Sequence, residues 1–93
     1  MPSGVVLVIE DDEWVARLLS SAIRDAGYEV VVQGTARGGL DAACKLEPEA
    51  IVCDIDLPDH DGFWVARGVR MQPSRVSVTP FLFLSGYDDQ ESR

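Results

Sequence analysis

The chain has 93 residues, with 8 Lys or Arg against 16 Asp or Glu, a formal charge of −8 and an isoelectric point near 4.3. That length suits one domain with a modest core and leaves no room for a second. The few basic residues are scattered, which argues against a nucleic-acid surface on this domain, and no apolar run nears the roughly 20 residues needed to cross a bilayer. The start lacks the basic flank and apolar stretch of a signal peptide, so the expected location is the cytoplasm, with no membrane association.

In chain order, Val5-Val6-Leu7-Val8-Ile9 reads as an apolar strand that stops at Glu10-Asp11-Asp12. Val15, Leu18, Leu19, Ala22, Ile23 and Ala26 then recur at helical spacing, with Gly27 where a C-terminal cap belongs. Tyr28 to Val32 is rich in β-branched residues and reads as a second strand. Thr35 is placed to cap a second helix through Leu40, Ala43, Cys44 and Leu46, weakened by Gly38 and Gly39 and closed by Pro48. A third apolar strand, Ala50-Ile51-Val52-Cys53, delivers Asp54 to its end.

After the acidic turn Ile55 to Gly62, a third helix starts at Phe63, uses Val65, Ala66 and Val69, and ends before Pro73. The segment from Pro73 to Thr79 reads as a polar loop with a short strand-like extension at Val76 and Val78. Pro80 to Leu84 is a fourth strand, ending at Ser85-Gly86, and the polar residues from Tyr87 onward are able to start a further helix. Near-continuous apolar strands alternating with amphipathic helices predict an α/β, doubly wound parallel sheet covered on both faces. Right-handed crossovers bring the strand C-termini to one edge, so Glu10, Asp11, Asp54 and Ser85 are expected to converge.

Two strand tips bearing carboxylates, side by side, make an acidic pocket. Crowded carboxylates repel one another, and a hard divalent cation with oxygen ligands, Mg²⁺ above all, relieves that repulsion. Each residue has a plainer reading as well. Glu10-Asp11-Asp12 suits a solvated helix N-terminus, and Asp59 and Asp61 read as turn residues. His60, the sole histidine, reads as an exposed loop residue. Cys44 and Cys53 lack metal-binding or redox spacing and read as small buried hydrophobes. Trp14 and Trp64 fall on helix positions away from the predicted core.

These ordered signals resemble the receiver domain of two-component response regulators. The resemblance rests on the acids of Val8-Ile9-Glu10-Asp11-Asp12, Asp54 closing the third strand, Leu57-Pro58 and Asp61-Gly62-Phe63 after it, and Leu84-Ser85-Gly86 closing the fourth. It implies the flavodoxin-like fold with strand order 2-1-3-4, to which complete receivers add a fifth strand. It also implies a phosphoacceptor signalling module and not an enzyme, beyond Mg²⁺-dependent autophosphorylation and dephosphorylation of its own aspartate. Asp54 matches the phosphoacceptor, loaded by a sensor histidine kinase or phosphotransfer protein. Asp11, Glu10 and Asp54 match the Mg²⁺ ligands, together with the backbone carbonyl of Asp56. Ser85 and Gly86 match the residues that contact the phosphoryl group, and Pro58 and Gly62 those that shape the loop.

The family pattern continues with a fifth strand carrying a lysine and an aromatic switch residue, and this sequence ends at Arg93 without them. Lys45, in the second helix, is not assumed to substitute. Residues 1–93 are therefore expected to be the N-terminal portion of a receiver, lacking the final strand and helix, with an open sheet edge through which a homodimer could form. The alternative function is a receiver-like binding or scaffold module, uncoupled from phosphorylation and completed by a partner or by dimerisation. A small Mg²⁺-dependent phosphohydrolase, with Asp56 as acid-base group, fits the pattern less well.

Overall fold

The computed structural model describes residues 4–84. In chain order the elements are β1 (Val5–Ile9), α1 (Glu13–Asp25), β2 (Glu29–Gln33), α2 (Ala36–Leu46), β3 (Ala50–Asp54), α3 (Gly62–Arg70), a 3₁₀ turn (Arg75–Val78) and β4 (Phe81–Leu84). The four strands form one parallel sheet in the order β2-β1-β3-β4. Both the α/β class and the strand order expected from the sequence are thus observed.

The central position of β1 follows from its composition. Leu7, Val8 and Ile9 have no exposed surface, and Val6 has very little. Only a strand flanked by others and covered on both faces buries consecutive residues in this way. Leu7 and Ile9 join Ile51 and Cys53 beneath α2 and α3, with Val65, Val69 and Val76. Val6, Val8 and Val52 point the other way, against Leu19, Ile23 and Tyr28. The strand repeat of two thus divides one apolar run between two cores.

Local chemistry sets the helix ends. The Asp12 side chain accepts the backbone N–H groups of Trp14 and Val15, Thr35 accepts that of Gly38, and Asp61 accepts that of Trp64. Each cap satisfies donors that the first helical turn leaves unpaired. At the far end of α1, Gly27 has φ +104°, the left-handed region that glycine enters without steric cost.

Several details differ from the sequence reading. The buried stripe of α1 is turned toward Ala16 and Ser20, while Leu18 is 54% exposed and Ala22 and Ala26 are also exposed. Cys44 is exposed and only Cys53 is buried. The segment expected to extend as strand at Val76 and Val78 is instead the 3₁₀ turn. Val76 anchors it in the core, and the Arg70 guanidinium donates to the carbonyls of Ser77 and Thr79, each at 2.9 Å. Trp64 is half-buried against the α2/α3 core and not directed away from it. Among the described residues, no helix is long and apolar enough to cross a membrane.

Candidate phosphoacceptor and metal site

The site grows from the register of β1 and β3. Ile9 pairs with Cys53, so the next residues, Glu10 and Asp54, emerge side by side at the C-terminal edge of the sheet. Glu10 stays in line because its N–H donates to the Gln33 carbonyl at 2.9 Å. Carboxylate oxygens of Glu10, Asp11 and Asp54 all lie within 4.8 Å of one another. Glu10 is buried, Asp54 half-buried and Asp11 exposed. The three therefore grade from the protein interior to solvent.

Asp12, the third acid of the run, does something else. Its carboxylate caps α1 at 2.9 and 3.2 Å from the N–H groups of Trp14 and Val15. The helix-start reading of the acidic run therefore holds for Asp12, while Glu10 and Asp11 lie beside Asp54. Asp12 also donates its own N–H to Glu10 Oε2 at 3.0 Å, which ties the helix start to the pocket.

Burial pushes the Glu10 carboxyl from its ordinary 4.5 up to about 7. The Asp12 N–H opposes that rise, while the charges of Asp54 and Asp11 add to it. Asp54 is also raised, first by burial, with the Asp56 N–H and a hydrogen bond from Glu10 acting against the rise. Both shifts run the same way, because burial favours the protonated form of each carboxyl. A cluster that keeps a proton to reduce its own repulsion is also one in which a divalent cation can take over that work. Its donors are all oxygens, the set that hard cations prefer.

The loop from β3 to α3 is tightly folded. Asp56 donates its N–H to Asp54 Oδ1 at 3.3 Å and forms an antiparallel bridge with Asp61. Gly62 donates to the Ile55 carbonyl at 2.7 Å, and a Cβ at Gly62 would stand 2.5 Å from the Asp54 carbonyl oxygen. The α3 start thus lies against the backbone of Asp54 at a distance only glycine allows. Pro58 sits exposed on the outer bend. Ser85 and Gly86, expected at the site, lie outside the described residues.

Two features of this loop escaped the sequence reading. Asp59, taken there for a turn residue, accepts the backbone N–H groups of Ala36 and Arg37 at 2.8 and 2.9 Å, the first two residues of α2. Those bonds hold its carboxyl below the usual range. His60 is exposed, as expected, yet its ring stacks on that of Trp64 with centroids 3.9 Å apart, and the Arg37 guanidinium lies 5.5 Å from the Trp64 ring centroid. No local pattern signals the Asp59 and Arg37 contacts, which join segments more than twenty residues apart.

The model of the response regulator receiver domain matches residues 6–93, nearly the whole chain. The chain belongs to the response regulator receiver family. Similar proteins include the transcriptional regulatory protein YvcP of Bacillus subtilis, 32% identical over 85 residues that make up 91% of this chain and 34% of that one. The KDP operon transcriptional regulatory protein KdpE of Escherichia coli is 31% identical over 88 residues, 95% of this chain and 36% of that protein. The receiver chain spans about a third of the length of the curated relatives it matches. Among solved structures, the chemotaxis response regulator CheY4 of Vibrio cholerae superposes with a TM-score of 0.85 at 32% identity, covering 99% of this chain and 76% of that one. The flavodoxin-like fold and a place in two-component signalling follow from this membership.

Proposed function

We propose that Asp54 accepts a phosphoryl group from a phosphohistidine of a sensor histidine kinase or phosphotransfer protein, and that the phosphorylated chain changes its affinity for a partner. In this reading an oxygen of the Asp54 carboxylate attacks phosphorus and the phosphorus–nitrogen bond of the donor breaks. The imidazole leaves with the bonding electron pair, and the product is an acyl phosphate on Asp54. The Asp56 N–H, bonded to Oδ1, orients the carboxylate for that attack. The convergence of Glu10, Asp11 and Asp54 within 4.8 Å is the observation that carries the reading.

The carboxylates of Glu10, Asp11 and Asp54, with the backbone carbonyl of Asp56, are the proposed Mg²⁺ ligands. Mg²⁺ bound there supplies the positive charge that offsets the carboxylate and the phosphoryl oxygens. Glu10 must then release its proton, so metal binding and deprotonation are linked. Ser85 and Gly86 are proposed to border the phosphoryl group. The loop shaped by Pro58 and Gly62 keeps Asp54 and Asp56 in register, consistent with the Gly62 contacts.

The test is intact-mass analysis after incubation with Mg²⁺ and a small acyl-phosphate donor, alongside Asp54→Asn. One added phosphoryl group on the parent protein alone is the expected result. No addition to folded parent protein, or equal addition to the variant, overturns the assignment of Asp54.

A further inference from the structure

We infer that Asp59 is a positioning residue for the Asp54 site, locking the β3–α3 loop onto the start of α2 so that the Asp56 carbonyl is held ready for a metal. The inference rests on the Mg²⁺ site proposed above. Both Asp59 oxygens are engaged, one by Ala36 N–H at 2.8 Å and the other by Arg37 N–H at 2.9 Å. The helix already has its own cap, since Thr35 Oγ1 accepts the Gly38 N–H at 3.0 Å. Asp59 and Arg37 are exposed, so water is available to the Arg37 N–H if the carboxylate is removed. Thr35 and water thus serve the Gly38 and Arg37 donors, and at the helix start only the buried Ala36 N–H relies on Asp59.

The loop depends on it more. The Asp56–Asp61 bridge and the Gly62 to Ile55 hydrogen bond tie the two ends of the loop to each other, not to α2. Leu57 packs against the core below. The tip beyond Leu57 is joined to α2 by the Asp59 cap and by the His60–Trp64–Arg37 stack. Cap and stack use adjacent residues on both sides, Asp59 and His60 on the loop, Ala36 and Arg37 on the helix. Loss of the cap is therefore expected to loosen the stack beside it. Metal ligands need partners that restrict their movement, and a backbone carbonyl is restricted only by the fold of its own loop.

The experiment uses the 93-residue chain with Trp14→Phe, which leaves Trp64 as the single tryptophan. Mg²⁺ affinity is measured by calorimetry, and Trp64 emission without metal reports whether the stack is closed. Asp59→Ala is expected to change Trp64 emission and weaken Mg²⁺ binding on the order of tenfold, with Thr35→Ala staying within about twofold of the parent. Asp59→Asn, which keeps one acceptor oxygen, is expected to fall between and carries the comparison if Asp59→Ala does not fold. Unchanged Mg²⁺ affinity in the Asp59 variants overturns the inference alone. So does equal weakening by Thr35→Ala, which would locate the effect in the helix start. A parent protein that binds no Mg²⁺ overturns the inference together with the proposed metal site.

Discussion

Gly62 and Gly68 lie on the same short helix, and the same substitution at each is expected to have opposite consequences. At Gly62 a Cβ would stand 2.5 Å from the Asp54 carbonyl oxygen, 3.2 Å from Ile55 Cα and 3.3 Å from the Asp54 carbonyl carbon. All three atoms are backbone, and the 2.7 Å bond from Gly62 N–H to the Ile55 carbonyl pins the two segments together. Reaching ordinary contact needs a shift of about 1 Å. Forced shifts of this kind cost about 1–3 kcal/mol, against a gain of about 0.4–1 kcal/mol from a less flexible unfolded chain. Gly62→Ala is therefore expected to be destabilised by roughly 1–2 kcal/mol, or about 4–16 °C in Tm for a domain of this size.

At Gly68 the new Cβ would meet Leu40 Cδ2 and Cδ1 at 2.9 and 3.0 Å, the movable tips of a half-buried side chain. Replacing glycine inside a helix by alanine gains about 0.8–1.0 kcal/mol, so Gly68→Ala is expected to match or exceed the parent. Thermal and urea unfolding followed by circular dichroism measures both. Because Gly62 abuts the Asp54 backbone, its variant is also expected to accept the phosphoryl group more slowly. A Gly62→Ala protein as stable as Gly68→Ala would refute the close-approach argument.

The protonation of the site gives a pH dependence. Glu10 holds its proton in the folded state up to about pH 7 and in the unfolded state only to about 4.5. Between those values the folded state binds more protons, so the metal-free protein should lose stability as pH rises through that window, and Asp54, also raised, acts in the same direction. Asp59 acts oppositely: its lowered carboxyl contributes stability above the ordinary 3.8 that is lost as pH falls below it. Glu10→Gln should stabilise the metal-free protein at pH 8 by about 1–3 kcal/mol, fade in effect near pH 4.5, and weaken Mg²⁺ binding. Urea titrations at several pH values check this, and no gain at pH 8 would refute it. With a thiol reagent at neutral pH, exposed Cys44 should react in the native protein while Cys53, buried and pushed up to about 12, reacts only on unfolding. Prompt reaction of both would contradict the observed packing.

The strands were legible because each is a short-range pattern, while their order was implied by the resemblance to receivers. Apolar runs such as Val5–Ile9 and Ala50–Cys53 are too short for helices and too apolar for loops, and helices between them force parallel crossovers. From that alone Glu10, Asp11 and Asp54 had to meet at one edge. Hydropathy was a weaker guide to which side chains are covered. Leu18 and Ala22 matched the helical repeat of α1 but remain exposed, whereas Ala16 and Ser20 are buried. Cys44 fell into the same error, because residue type reports an affinity for the core without identifying the helix face that reaches it.

Sequence by itself determined the sheet, the acidic edge and the residue proposed to take the phosphoryl group. The strands and the acidic edge follow from what neighbouring residues do to one chain segment, and the residue for the phosphoryl group from the resemblance to receivers. Only the tertiary structure decided that Asp12 serves the helix while Glu10 and Asp11 face Asp54, that Gly62 must lack a side chain, and that Asp59 grips α2. The physical reason is that these are contacts between segments whose distance and orientation exist only after packing. A hydrogen bond from Ala36 to Asp59 spans 23 residues of sequence and 2.8 Å of space.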